Sequence, residues 1–218
     1  MTRVALLGAE STGKTQLSAE LAAHLRSLGL RAVAVPEVLR EWCLREDRTP
    51  RPEEQLAIAR EQEQRVDQAA ADGAIVIADT TALMVAIHAG MLFEDGELYR
   101  FALERQQGYD ATLVTGLDLP WVPDGLQRDA SQAREPVDAL VRALLQRAQL
   151  AFQVVYGQGP QRLRSALQAL RSTSVLPAEA AAGDAALDTR QAWVWVCDKC
   201  SDPACEHRLF TQLREGRG

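Results

Sequence analysis

An open α/β sheet of about five parallel strands, covered by helices on both faces and followed by a small Cys/His appendage, is the fold class this 218-residue sequence predicts. Three observations predict it. Short β-type apolar runs alternate with segments of helical spacing, which requires parallel crossovers. A glycine-rich loop, GAESTGKT, follows the first apolar run. Each apolar run is followed by a glycine or an acidic residue, in turn Gly8, Glu37, Asp79, Asp118 and Gly157, which gathers chemistry at the carboxyl edge of such a sheet.

The elements follow in order. Residues 4–7 read as a buried strand, and Leu17, Leu21, Leu25 and Leu28 repeat at helical spacing up to Gly29, a candidate helix cap. Residues 30–35 form the second strand, closed by Pro36. Pro52 opens and Gly73 closes a polar helical segment over about 53–72. The third and fourth strands are 74–78 and 111–115, with helical segments around 81–90 and 97–107 between them. A loop rich in Pro, Asp and Gly covers about 117–129, then a helix at 136–150, a fifth strand at 152–156 and a last helix at 160–172. Residues 1–172 are expected as one domain, 173–192 as an alanine-rich linker and 193–218 as the appendage.

Composition narrows the function classes. The chain carries 24 Lys plus Arg against 30 Asp plus Glu, a net charge of −6 and an apolar fraction of 47%. Without a basic run, a dedicated nucleic-acid binder is excluded, because such binding rests on neutralising phosphates. No stretch approaches the ~18 apolar residues of a membrane span, and the run after Arg3 is too short for the ~7–15 of a signal-peptide core. A cytoplasmic protein with no membrane or nucleic-acid partner is expected. Only Lys14 and Lys199 are lysines, so a chain that uses arginine for ordinary surface charge singles these two out.

Lys14 lies in the glycine loop. Gly8, Ala9, Glu10, Ser11, Thr12, Gly13, Lys14 and Thr15 fit G-x-x-x-x-G-K-[ST] after a buried strand and before an amphipathic helix. Loop and helix N–H groups then face a triphosphate, Lys14 reaches the β and γ phosphates, and the Thr15 hydroxyl joins a Mg²⁺ shell. ATP and Mg²⁺ are the expected cofactors. Glu37, after the second strand, is either the acceptor of a substrate hydroxyl proton or a surface carboxylate beside Arg40. Asp79 ends the run AIVIAD and either organises Mg²⁺ or caps the next helix. In LDLPWVPDGLQRD, Trp121 between Asp118 and Asp124 offers a stiff binding wall or a plain surface loop. Arg128 and Arg134 behind it either clamp the transferring phosphate or are solvated helix charges.

GAESTGKT, the segment carrying Pro36, Glu37, Arg40 and Glu41, the strand ending Asp79-Thr80, and DLPWVPDGLQRD together resemble the NadR-type nicotinamide riboside kinase domain and its AAA-type relatives, over roughly residues 2–172. The resemblance implies a nucleoside-kinase-like P-loop fold with a five-stranded parallel core. It also implies transfer of the ATP γ-phosphate to the 5′-hydroxyl of a ribosylated pyridine, with Arg40, Asp118, Trp121 and Asp124 on the substrate side. VPE-x-x-x-x-W is similar to deoxynucleoside kinases, in which the matching acid is the base, and this favours that role for Glu37. The H-x-G-H motif of an adenylyltransferase is absent from the sequence, so the resemblance is to the kinase domain alone.

The appendage reads C-x2-C-x4-C-x-H, with Cys197, Cys200, Cys205 and His207. This set could form a tetrahedral Zn²⁺ site within the chain, a Zn²⁺ site shared between chains of a homo-oligomer, or free thiols on a tail. Phosphorylation of a small nucleoside, foremost nicotinamide riboside, is the expected activity. The alternative is an ATP- or GTP-dependent regulator that signals to a protein partner through this tail.

Overall fold

Alternation along the strands decides which helix covers which face. In β1 (Thr2–Leu7), Val4 and Leu6 pack to one side while Leu7 packs to the other, as the two-residue period of a strand requires. A computed structural model describes residues 1–90, 96–122, 133–173 and 175–176 of the chain. The strands β1, β2 (Ala32–Val35), β3 (Ile75–Asp79), β4 (Ala111–Thr115) and β5 (Gln153–Val155) form one parallel sheet in the order β2-β3-β1-β4-β5. Every residue of β3 and β4 is buried, so these inner strands read as continuous apolar runs.

On one face, α1 (Lys14–Ser27) and α7 (Pro160–Ser172) pack Leu17, Leu21, Leu25, Leu167 and Leu170 onto Val4, Leu6, Ile77 and Leu113. On the other, α4 (Ala82–His88), α5 (Glu97–Gln106) and α6 (Arg134–Arg147) bury Leu83, Met84, Ala102 and Leu145 against Leu7 and Val114. Between β2 and β3 run α2 (Val38–Glu46) and α3 (Pro52–Ala71). The chain moves from β1 to the β2 edge, returns through β3, and crosses β1 to reach β4. The strand order therefore reverses at β1, where ligands of open parallel sheets bind.

Five strands and both helical faces agree with expectation. The second strand starts at Ala32 instead of residue 30, because Gly29, at φ 81°, lets the N–H of Leu30 turn back to the carbonyl of Leu25 and close α1. α6 starts at Arg134 and stops at Arg147, where Gln149 enters the left-handed region. The helix α2 has no counterpart in the sequence reading. Of the expected linker, Val175 and Leu176 are described and pack on the core beside α7, Leu176 being buried. Asp124 and Arg128, the linker beyond Leu176, and the Zn²⁺ reading of Cys197, Cys200, Cys205 and His207 with its oligomer or partner role lie outside the described residues. Among the described residues, no helix is long and apolar enough to cross a membrane.

Candidate active site

The glycine loop closes the carboxyl end of β1, and its shape follows from what surrounds it. Gly8 has φ 143°, and a Cβ there would collide with Thr115 Oγ1 at the end of β4. Gly13, at φ 76°, caps α1, and no side chain caps that helix or places an acid in its first turn. The first N–H groups of α1 thus stay available to an anion. The fully buried Thr12 hydroxyl donates to Ala9 O at 2.7 Å and lies 2.7 Å from the Thr115 hydroxyl, which donates to Leu7 O. Ser11, itself at φ 55°, donates to Val122 O at 2.7 Å.

Lys14 is buried with its Nζ donating to Gly8 O at 2.9 Å and Ala9 O at 2.8 Å. Burial holds its pKa below the ordinary lysine value, against the opposing pull of Glu37, Asp79 and Glu10. The ammonium thus sits among three carboxylates at the ends of β1, β2 and β3. Asp79 is 2% exposed, and burial raises its pKa although a hydrogen bond from Thr15 opposes the rise. Its Oδ1 has no hydrogen-bond partner. The cap of α4 comes from Thr81, whose Oγ1 accepts from Leu83 N–H, while Glu63 accepts from Ala82 N–H at 2.8 Å. Asp79 is therefore not spent on capping. A hydroxyl beside a carboxylate with an unmatched buried oxygen fits Mg²⁺, which takes few protein ligands and keeps water and phosphate oxygens. Among the described residues, no group of three or more His, Cys, Asp or Glu could hold a metal ion.

Glu37 occupies the N-cap position of α2, yet its side chain makes no cap bond. It accepts from Arg40 Nε at 3.2 Å and is 11% exposed. Both residues line a cavity of about 490 Å³, together with Glu10 of the glycine loop, Cys43 and Asp47 of the α2 region, Gln55 and His88. The cavity thus reaches from the phosphate loop into the space between α2, α3 and α4. His88 Nδ1 lies 3.2 Å from Glu10 Oε1. Burial keeps the imidazole below its ordinary pKa despite the neighbouring Glu10, so a neutral ring meets the carboxylate near pH 7. The other Glu10 oxygen is buried without a partner.

The loop after β4 behaves differently from its sequence expectation. Asp118 is engaged within the protein: Oδ2 accepts from Gly157 N–H at 2.5 Å, and Oδ1 accepts from Arg162 Nη2 at 2.7 Å. Arg162 also donates to the carbonyls of Gly157 and Val155. Arg134 is 9% exposed and donates to Leu119 O at 2.9 Å, so it holds this loop and is no solvated helix charge. Trp121 is half-buried and is not among the residues lining the cavity. Four cavity residues, Cys43, Asp47, Gln55 and His88, went unremarked in the sequence. For His88 a signal existed, since it ends the otherwise apolar helix ALMVAIH.

Comparison with known proteins agrees with this architecture. The chain is similar in structure to NadR in complex with NAD and AMP-PNP (TM-score 0.61, 16% identity, 81% of this chain and 50% of that chain). It is similar to NadR in complex with NR (TM-score 0.64, 16% identity, 81% and 52%). It is also similar to thymidylate kinase from Ehrlichia chaffeensis (TM-score 0.53, 12% identity, 78% and 97%). The chain spans about half the length of the NadR chains it matches. No curated protein matches its sequence. A family model described as AAA domain matches residues 3–162. With that match over most of its length and a glycine loop seated at the carboxyl end of β1, the chain belongs to the AAA domain family of P-loop proteins.

Proposed function

We propose that the chain is an ATP- and Mg²⁺-dependent small-molecule kinase that phosphorylates a hydroxyl of a nucleoside, foremost nicotinamide riboside. One observation carries this reading: the cavity lined by Glu37 is also lined by Glu10 of the phosphate loop. A hydroxyl bound there lies between a carboxylate and the triphosphate cradle, which is what in-line phosphoryl transfer needs. Glu37 accepts the hydroxyl proton as the oxygen attacks the γ-phosphorus, and Arg40 keeps that carboxylate oriented. Lys14 exchanges the carbonyls of Gly8 and Ala9 for the β and γ phosphates and offsets the charge that develops on the migrating group. Thr15 and Asp79 are the residues that would hold Mg²⁺, which supplies further neutralisation of the phosphate oxygens. Arg134 and the Asp118–Trp121 segment fix the loop above the glycine loop, with Arg128 and Asp124 assigned to the same loop from the sequence alone.

Nicotinamide riboside carries a fixed positive charge, and the cavity lining offers Glu10, Glu37 and Asp47 against Arg40 and Arg48. Trp42 is not among the lining residues and already carries Arg48 4.6 Å from its ring centroid, so within this cavity the pyridinium is assigned to the carboxylates. Competition among nicotinamide riboside, uridine, cytidine and adenosine, read as phosphorylated product by mass spectrometry, tests the assignment. The cationic nucleoside is expected to win, and Asp47→Asn to erode its advantage by about fivefold, ~1 kcal/mol of a partly screened charge pair. Equal use of the neutral nucleosides rejects the pyridinium assignment, and no phosphorylation of any of them rejects the nucleoside kinase.

A further inference from the structure

The direction of the Glu37 carboxylate is set by the two peptide groups that flank it at the start of α2. What holds those groups lies on the neighbouring helix. Gln62 of α3 is fully buried, with Oε1 accepting from Val38 N–H at 2.9 Å and Nε2 donating to Pro36 O at 3.3 Å. These are the backbone groups immediately before and after Glu37. Each needs a partner: Val38 N–H opens α2, and Pro36 lies just beyond the end of the edge strand β2. One primary amide supplies both partners, since it carries an acceptor and a donor on one planar group.

We propose that Gln62 is a positioning residue that clamps the peptide on both sides of Glu37 and so fixes the direction in which the Glu37 carboxylate faces the reacting hydroxyl. The neighbouring Glu63 extends the same device. Its Oε1 accepts from Ala82 N–H at the start of α4, while Oε2 accepts from Tyr109 Oη at 3.1 Å and Arg105 Nε at 3.4 Å. Two adjacent residues of α3 thus tie the segment after β2 and the segment after β3 to one rigid helix. The separation of Glu37 from Asp79 is inherited from that tie. A loosened clamp lets the backbone at Glu37 shift, and its carboxylate no longer meets the substrate hydroxyl.

The inference rests on the reading of Glu37 as proton acceptor, and a double-mutant cycle separates the two. Gln62→Met keeps volume and removes both bonds. It is expected to lower kcat by roughly 10- to 100-fold, the cost of a misplaced catalytic group, with KM for ATP within about twofold because the phosphate loop is untouched. Glu37→Gln is expected to lower kcat by about 10²-fold. The double variant should be no slower than Glu37→Gln alone, since a misplaced base that is already absent costs nothing further. Gln62→Glu, which keeps the acceptor for Val38 N–H and loses the donor to Pro36 O, carries the same cycle if Gln62→Met does not fold. Normal kcat in the folded Gln62 variants overturns the clamp while leaving the base intact. An equal loss from Gln62→Met with and without Glu37 also overturns it, marking a general structural role. Normal kcat in Glu37→Gln overturns the base reading itself, and the clamp with it.

Discussion

The two flanks of β1 treat their polar groups in opposite ways. On the β4–β5 flank, Asp118 is matched by Gly157 N–H and Arg162, and the Thr12 and Thr115 hydroxyls are matched by the carbonyls of Ala9 and Leu7. Arg134 Nε has no hydrogen-bond partner there among the described residues. On the β2–β3 flank, Glu10 and Asp79 each keep a buried carboxylate oxygen with no hydrogen-bond partner, and both carboxylates lie near a lysine whose burial disfavours its charge. An unmatched buried polar atom costs about 1–3 kcal/mol. One flank is therefore a finished scaffold, and the other holds free energy that a ligand supplying donors or cations can recover. Stability should reside on the first and turnover on the second.

Arg162→Ala tests the scaffold side and carries the largest expected effect. Arg162 is 3% exposed and bonds two carbonyls besides Asp118. Removing one partner of a buried ion pair leaves the other uncompensated, which costs about 3–5 kcal/mol. Urea unfolding should show that loss, with the KM for the nucleoside little changed because the cavity lies on the other flank. A loss below about 1 kcal/mol would mean the flank is no stiffer than its opposite.

Lys14→Ala addresses the other side. Turnover should fall by about 10²-fold or more, roughly 2.7 kcal/mol of transition-state stabilisation. The unfolding midpoint should move little, because the hydrogen bonds to Gly8 and Ala9 carbonyls are offset by the cost of burying the ammonium. Turnover that survives in a folded variant removes the phosphate-loop assignment, and a large drop in stability erases the contrast between the flanks.

What could be read from the sequence follows the same division. The sheet, both helical faces and the glycine loop were legible because burial imposes periods of 2 and 3.6 residues, and because a loop that wraps phosphate needs glycine at Gly8 and Gly13. The helix α2 was not: it buries only Val38 and Cys43, too few positions to set a period, and its first N–H is bonded by Gln62, 24 residues beyond Val38. The pairing of Asp118 is illegible for a similar reason. Its carboxylate stands near Trp121 in sequence, whereas its partners Gly157 and Arg162 are 39 and 44 residues away. Asp79 was legible as a Mg²⁺ candidate but not as a residue freed from capping, since that depends on Thr81 and Glu63 taking the start of α4.

Asp79→Asn gives a small effect on stability and the sharpest test of the contrast, because activity and stability should move in opposite directions. Burial raises the Asp79 pKa above the usual carboxylate value, so the charged form is less favourable in the folded chain than in the unfolded one. Between the unfolded value, near 3.9, and the raised folded value, the native state keeps a proton that the unfolded state has released. Wild-type stability therefore falls as pH rises through that window, and the penalty is complete at neutral pH. An amide in the same place carries no charge to desolvate and still accepts from Thr15. At pH 7, without nucleotide, Asp79→Asn should stabilise by about 1 kcal/mol, a rise of roughly 2–4 °C in Tm, and the gain should vanish near pH 4. Addition of Mg²⁺ and ATP should reverse the order, since wild type gains from a cation beside the unmatched oxygen and the variant does not, and turnover should drop in the variant. Thermal unfolding at pH 4 and pH 7, with and without Mg²⁺ and ATP, reads all of this in one set of measurements. A variant less stable than wild type at neutral pH without ligand would mean that Asp79 is matched within the fold, and the distinction between a finished flank and a waiting one would fail at its central residue.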